Sequence, residues 1–373
     1  MDKSQNNVAA GLEGIVVANT QMSMVDGQAG RLVLRGYEVG QLSGEVSFEQ
    51  ACGLFLDGAL PPAKDTEAIG QALAAARVEA FDGLDQVKGA LKQDDAMAAL
   101  RGAVGQWGIE DPSDRRAAAL RLVGALPVWS TAWWRMRNGQ APVAPDARAA
   151  HSADTLTMLH GCAPSAAKRR ALDAYLVAVI DHGMNASTFT ARVVASTGAD
   201  LTSAVTAAIG ALSGPLHGGA PGPVLDMLDA IGHADRAQAW IETELAQGRR
   251  IMGMGHRVYK VRDPRAAVLE RAVEGIEGEL TGKTAQRLAL AHAVEAHAQA
   301  MLEAAKPGRK LRANVEFYTA VLLEALELPR ELFAATFCAS RALGWCAHVF
   351  EQRDTGRLLR PRARYVGPAP KAA

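Results

Sequence analysis

The sequence predicts an all-α protein with a single small β-hairpin near its N-terminus. Three observations carry this: apolar residues recurring at helical spacing, a composition rich in Ala and Leu with few β-branched runs, and one Asp-Gly pair between two extended-looking stretches. In RRALDAYLVAVIDH, residues Leu172, Tyr175, Leu176, Val179 and Ile180 fall at i, i+3, i+4, i+7 and i+8, one face of a helix. TSAVTAAIGALSG, RAQAWIETELAQGRR and AQRLALAHAVEAHAQAMLEAA repeat the pattern. In IVVANTQMSMVDGQAGRLVLRGY, Asp26-Gly27 supplies the turn of a hairpin. The first ten residues are polar and expected to be loose, and NGQAPVAPDARAAHSA reads as a connecting loop.

A chain of 373 residues is long enough for roughly two domains and a large apolar core. Basic and acidic residues balance at 40 each, so no global field points to nucleic acid or an anionic membrane, and any anion recognition must be local. Cys52, Cys162, Cys338 and Cys346 show neither a C-x-x-C pair nor metal-ligand spacing. With no signal-like apolar opening, this suggests reduced thiols in a cytoplasmic protein. No stretch reaches the ~18 apolar residues of a membrane span, since LVGALPVWSTAWW is short and interrupted by Pro127.

The chemistry-bearing candidates are glycine-flanked histidines. GPLHGGAPGP sets His217 just beyond a helix expected to end near Gly214, with glycines that permit tight turns and close ligand approach. A lone histidine after a helix is also a common structural feature. IMGMGHRVYKVRDPR places His256 after Gly253 and Gly255, with Arg257, Lys260, Arg262 and Arg265 following, which suits either a small anion site or a solvated basic helix start. A nucleotide reading fails, because G-x-G-x-x-G would need glycine where Val258 stands. In DHGMNASTFTARVVAS, His182 precedes an Asn-Ala-Ser-Thr run that also reads as a helix cap. His292 and His297 lie five apart, off the i, i+4 pairing of a helical metal site, and no metal is expected. His151, His160, His233 and His348 lack supporting neighbours.

In order, GLEGIVVANTQMSMVDGQAGRLVLRGY, DHGMNASTF, AAIGALSGPLHGGAPGPV, IMGMGHRVYKVRDPRA, NVEFY, SRALGWCAHVFEQ and RLLRPRARYVGP together resemble the citrate synthase family, from about Gly11 to Pro368. The short N-terminus is similar to the compact bacterial or archaeal form rather than to a precursor with a targeting segment. The resemblance implies a homodimer whose subunits have a large helical domain, residues 1–218 and 330–373, and a smaller domain, residues 219–329, closing over the cleft. It also implies a Claisen-type condensation of acetyl-CoA, or a longer acyl-CoA as in 2-methylcitrate synthases, with oxaloacetate, followed by thioester hydrolysis. Acyl-CoA is then a substrate, and no cofactor is expected.

Carried over residue by residue, His217 matches the family's donor to the thioester oxygen and His256 its donor to the oxaloacetate ketone. His182, Arg265, Arg341 and Arg360 match the contacts to the dicarboxylate, with Arg360 reaching the site from the partner subunit. For CoA the resemblance points to Leu216, Gly218, Gly219, Ala220, Ile251, Gly253, Gly255, Lys260, Arg309, Arg312 and Asn314. One position departs from the pattern: where the family has Asp as the base, ANVEFYTAVLLEALELP carries Glu316, one methylene longer. Misplacement on the order of 1 Å can cost ~100-fold in rate, whereas the intrinsic basicities of Asp and Glu differ by only about 0.4 units. An active enzyme with Glu316 as base and an impaired paralogue that still binds ligands are therefore both open.

Overall fold

A computed structural model of the chain describes residues 10–109, 113–218, 221–305 and 308–369. Helices dominate, and the only described sheet is the three-stranded antiparallel ribbon β1 (Ser23–Asp26), β2 (Arg31–Leu34) and β3 (Tyr37–Glu38). Asp26 pairs with Arg31 at the turn, and its Oδ1 accepts the amides of Gln28 and Ala29 at 3.0 and 2.9 Å. The carboxylate therefore closes the turn that the Asp-Gly pair predicts.

The apolar stripes read from the sequence bury against one another in a continuous core. Helix Phe333–Thr355 lies at its centre and packs against Arg115–Arg137, Ala186–Ala195, Leu201–Leu212 and Ala166–Val179. Its buried positions, from Phe333 through Val349, cover every face, the mark of a helix enclosed on all sides. Helix Arg115–Arg137 contains the LVGALPVWSTAWW run and continues unbroken through Pro127. Proline there removes one amide donor, but Ala118–Trp133 is buried nearly throughout, and packing outweighs the lost bond. Ser130 and Thr131 hydroxyls both donate to the Pro127 carbonyl, at 3.1 and 2.8 Å. Among the described residues no helix is long and apolar enough to cross a membrane. The connecting loop is shorter than expected, since helix His151–His160 begins inside HSA. All four cysteines are free, and only Cys162 is exposed.

Candidate active site

Two backbone frames face each other. The first is the segment after helix Ala166–Val179, which carries Asp181 and His182 and ends where the Asn185 side chain accepts the Thr188 amide at 3.1 Å, capping helix Ala186–Ala195. Gly344 lets the central helix approach this segment, because a Cβ there would stand 2.3 Å from the Ile180 carbonyl oxygen. Buried Asp181 pins the segment, accepting the Ser23 hydroxyl from β1 and lying 3.2 Å from His348 Nε2.

The second frame is the loop between Ile251 and Asp263. It is laced to residues 312–314 by an isolated bridge from Met254 to Ala313 and by amide-to-carbonyl bonds Gly255→Arg312 (2.7 Å), Asn314→Gly253 (2.9 Å) and Asp263→Ala313 (3.1 Å). Gly253 and Gly255 hold φ of 72° and 91°, a region side-chain-bearing residues avoid, so the glycines of GMGH are required by the backbone itself. Lys260 donates its amide to the Gly27 carbonyl, and the β1–β2 turn thereby braces the loop.

These frames bring His182, His256 and Tyr259 together. The histidine rings meet edge to face with centroids 5.5 Å apart, and Tyr259 Oη lies 3.1 Å from His182 Nε2. His256 Nδ1 accepts the amides of Val258 and Tyr259 at 3.0 and 3.1 Å. Because an amide can only donate, Nδ1 carries no proton and Nε2–H is the free donor. Burial, reinforced by the Arg265 and Lys260 charges, lowers its pKa to about 4 and keeps the ring neutral.

His217 follows the same logic. The Ser187 amide donates to its Nε2 at 3.3 Å and the Ser187 hydroxyl lies 2.9 Å away, itself receiving Trp345 Nε1–H at 3.1 Å. With Nε2 accepting, Nδ1 carries the proton. Burial first and Arg341 second bring His217 down to about 4. Each of the two predicted catalytic histidines is thus a neutral ring with one N–H left to donate.

Arg265 and Arg341 are both buried. Asp263 caps helix Pro264–Glu274 and grips Arg265 in a two-point bond, at 3.0 Å to Nε and 2.8 Å to a terminal nitrogen, which leaves part of the guanidinium fork unused. Arg341 donates Nε–H to the Val179 carbonyl at 2.7 Å and lies 4.5 Å over the Phe337 ring, with no acidic side chain in ion-pair range among the described residues. Glu316 occupies the first turn of helix Val315–Ala325, capped by Asn314. Its carboxylate is partly buried and forms no hydrogen bond or ion pair among the described residues. Burial pushes it up to about 7, against the pull of Arg265 and Arg341 and with help from Asp263. The site therefore holds a carboxyl group that titrates near neutrality, two neutral imidazoles each with an N–H to donate, and two guanidinium groups.

The candidates for CoA are dispersed. Ile251 is buried, Gly218 packs against the Leu212 carbonyl, and Leu216 is fully exposed. Lys260 and Arg309 are exposed, and Arg312 pairs with Glu303 at 3.3 Å. Asn314 uses both ends of its amide, accepting the Glu316 amide and donating to the Gly255 carbonyl. Gly219 and Ala220 lie outside the described residues. Arg360 is exposed on the segment after the central helix and has no partner among the described residues. Sequence reasoning passed over Tyr259, Ser187 and Asp263. Asp263 had a signal in Asp-Pro-Arg, since Asp before Pro reads as a cap followed by the first helical position. Tyr259 and Ser187 had none until their partners, far along the chain, were in place.

An all-α protein that gathers two neutral histidines, a carboxyl group titrating near neutrality and two buried arginines carries the groups for proton transfer beside an anionic ligand. The family model "Citrate synthase, C-terminal domain" matches residues 11–362. A citrate synthase of Haloferax volcanii is 40% identical over 370 residues, covering 96% of this chain and 95% of that protein. Citrate synthase 2 of Bacillus subtilis is 36% identical, covering 96% of this chain and 95% of its own. Among solved structures, the citrate synthase of Thermotoga maritima superposes with a TM-score of 0.85 at 32% identity, with 98% of each chain covered. That of Thermoplasma acidophilum, in ternary complex with carboxymethyl coenzyme A and oxaloacetate, superposes at 0.87 with 27% identity and 98% coverage of both chains. The chain belongs to the citrate synthase family and is an acyltransferase of that type.

Proposed function

We propose that the protein condenses acetyl-CoA with oxaloacetate, with Glu316 as the base. The observation that carries this reading is the state of Glu316: a partly buried carboxylate without a hydrogen-bond partner among the described residues, beside Arg265 and Arg341, raised to about 7. A general base works best with a pKa near the working pH. Glu316 takes a proton from the methyl group next to the thioester carbonyl. His217 Nδ1–H donates to the oxygen on which charge develops, the kind of preorganised donor worth roughly 3–4 kcal/mol. The carbon so freed attacks the oxaloacetate ketone, whose oxygen receives the hydrogen bond of His256 Nε2–H. Water then cleaves the citryl thioester, releasing citrate and CoA.

Arg341 and the free part of the Arg265 fork hold the two carboxylates of oxaloacetate, with His182 as a further contact. Coenzyme A follows the backbone at residues 216–220 and 251–255, its phosphates near Lys260, Arg309 and Arg312. The segment from residue 219 to 329 is the smaller, closing domain, so water is excluded while the enolate exists. The acyl donor is acetyl-CoA or a slightly longer acyl-CoA, and the protein works in the cytoplasm. A thiol-release assay with acetyl-CoA, propionyl-CoA and butyryl-CoA tests the reading on the wild type, Glu316→Asp and Glu316→Gln. We expect turnover for the wild type and loss of at least about 100-fold for the Gln variant. Thiol release by Glu316→Gln at the wild-type rate removes Glu316 as the base. Wild-type protein that binds oxaloacetate without thiol release makes the chain a ligand-binding subunit.

Arg360, exposed and without a partner among the described residues, supports a homodimer in which it completes the partner's site. Mixing Arg360→Ala with His256→Ala subunits should restore activity, because one site of each mixed dimer then keeps both groups. Mixtures as inactive as the separate variants would place Arg360 outside a shared site.

A further inference from the structure

Tyr175 is a buried titratable group the mechanism above does not use. It has no exposed surface, and its hydroxyl has no hydrogen-bond partner among the described residues. Buried hydroxyls in folded proteins are nearly always paired, so each exception needs a reason. The surroundings supply one. Tyr175 stands one helical turn before Val179, whose carbonyl receives Arg341 Nε–H, and so shares the helix face turned to the site. One residue on, the Leu176 carbonyl receives the Ser340 hydroxyl of the central helix, and helix Pro264–Glu274, with Arg265 in its first turn, packs against the same helix Ala166–Val179. Of the charges acting on the Tyr175 phenol, Glu316 is the largest, ahead of Arg341 and Arg265.

Tyr175 is thus a buried donor without an acceptor, and Glu316, near enough for its charge to act on the phenol, is a carboxylate without a donor among the described residues. We propose that Tyr175 is the positioning residue for the catalytic carboxylate, its hydroxyl donating to Glu316 as the base swings into place. The inference rests on Glu316 being the base. It also explains how a side chain one methylene longer than the family's Asp is held where the chemistry needs it: the phenol receives the carboxylate and limits where it can settle. The other groups facing Glu316 are Asp263 and Arg265 at the start of helix Pro264–Glu274 and Arg341 of the central helix. Only Tyr175 among these brings an unused neutral donor.

The test is Tyr175→Phe, which removes one oxygen from a buried ring, read by carbon NMR of glutamate-labelled protein without substrates, with Glu316→Gln identifying the Glu316 signal. A donor to the charged form lowers a carboxyl's pKa, so its loss should move the Glu316 midpoint upward by about one unit. We also expect kcat to fall about 10-fold while KM for oxaloacetate stays within about twofold, because only the reacting group has lost its restraint. An unchanged midpoint together with unchanged kcat overturns the proposal. Should Tyr175→Phe not fold, 3-fluorotyrosine at position 175, a stronger donor, must shift the midpoint downward, and no shift is equally fatal. If the midpoint moves but Glu316→Gln keeps its activity, the hydrogen bond stands and the assignment of the base falls.

Discussion

Two arginines on different helices are equally hidden and entirely different. Arg77 on helix Ala63–Asp82 has 0% exposure and Arg341 on the central helix 1%. Arg77 is saturated: Nε donates to Asp154 at 2.6 Å, one terminal nitrogen lies 3.2 Å from His151 Nδ1, and the other donates to the Ala149 carbonyl at 2.8 Å. Asp154 in turn accepts the Asp146 amide at 3.0 Å. Arg341 has one carbonyl and one aromatic face, and burial pulls it down to about 10, while Asp181, Tyr175 and Glu316 hold it up. A buried cation without an anion is costly, and folding alone gives no reason to keep one. Anion binding does, and under the proposed function a carboxylate of oxaloacetate would bring to Arg341 the charge that Asp154 brings to Arg77.

The contrast breaks or holds on one pair of variants. Asp154→Ala leaves the Arg77 charge buried without its counter-ion, and we expect a loss of about 3–5 kcal/mol in denaturant unfolding. Arg341→Met removes an unpaired charge and keeps most of the volume, so unfolding should change by less than about 1 kcal/mol, or the protein should gain stability. Oxaloacetate affinity, read by calorimetry, should fall about 100-fold in Arg341→Met, the loss of a charge-assisted two-point contact. If Arg341→Met is destabilised as strongly as Asp154→Ala, Arg341 is part of the scaffold and the comparison fails.

The same contrast decides what could be read from the sequence. Helical period marked Leu172, Tyr175, Leu176, Val179 and Ile180 as one face, and the structure buries them all, because burial of an amphipathic stripe is decided within a few turns of chain. His217 and His256 stood out for their glycine settings, a helix end and a Gly-x-Gly turn, while Glu316 was singled out by the family resemblance alone. Arg341, Tyr175 and Arg77 stand inside helices, where nothing local separates a structural charge from a catalytic one. His151 and His348 seemed equally unsupported, yet both are buried beside a guanidinium supplied from far along the chain, Arg77 for one and Arg192 for the other.

Glu316 extends the comparison to pH, with a smaller effect. Its folded pKa, about 7, stands above the ordinary glutamate value of 4.5, so the folded state favours the protonated form. Below the unfolded value both states are protonated and burial of the carboxyl imposes no ionic penalty. As pH rises through 4.5 the unfolded chain ionises first, and the destabilisation grows until the folded carboxyl ionises too, above about 7. Glu316→Gln should therefore be more stable than the wild type at pH 8 by on the order of 2 kcal/mol, allowing for water at a partly open site, and nearly equal to it at pH 4. Saturating oxaloacetate should widen the difference, because a bound dianion raises the carboxyl's pKa further and so enlarges the penalty that only the wild type carries. Thermal unfolding of both proteins from pH 4 to 8 measures this. A gap independent of pH would mean that Glu316 acts through packing alone. A gap that opens with pH, in a variant that has lost turnover, shows a base kept at a cost to the fold.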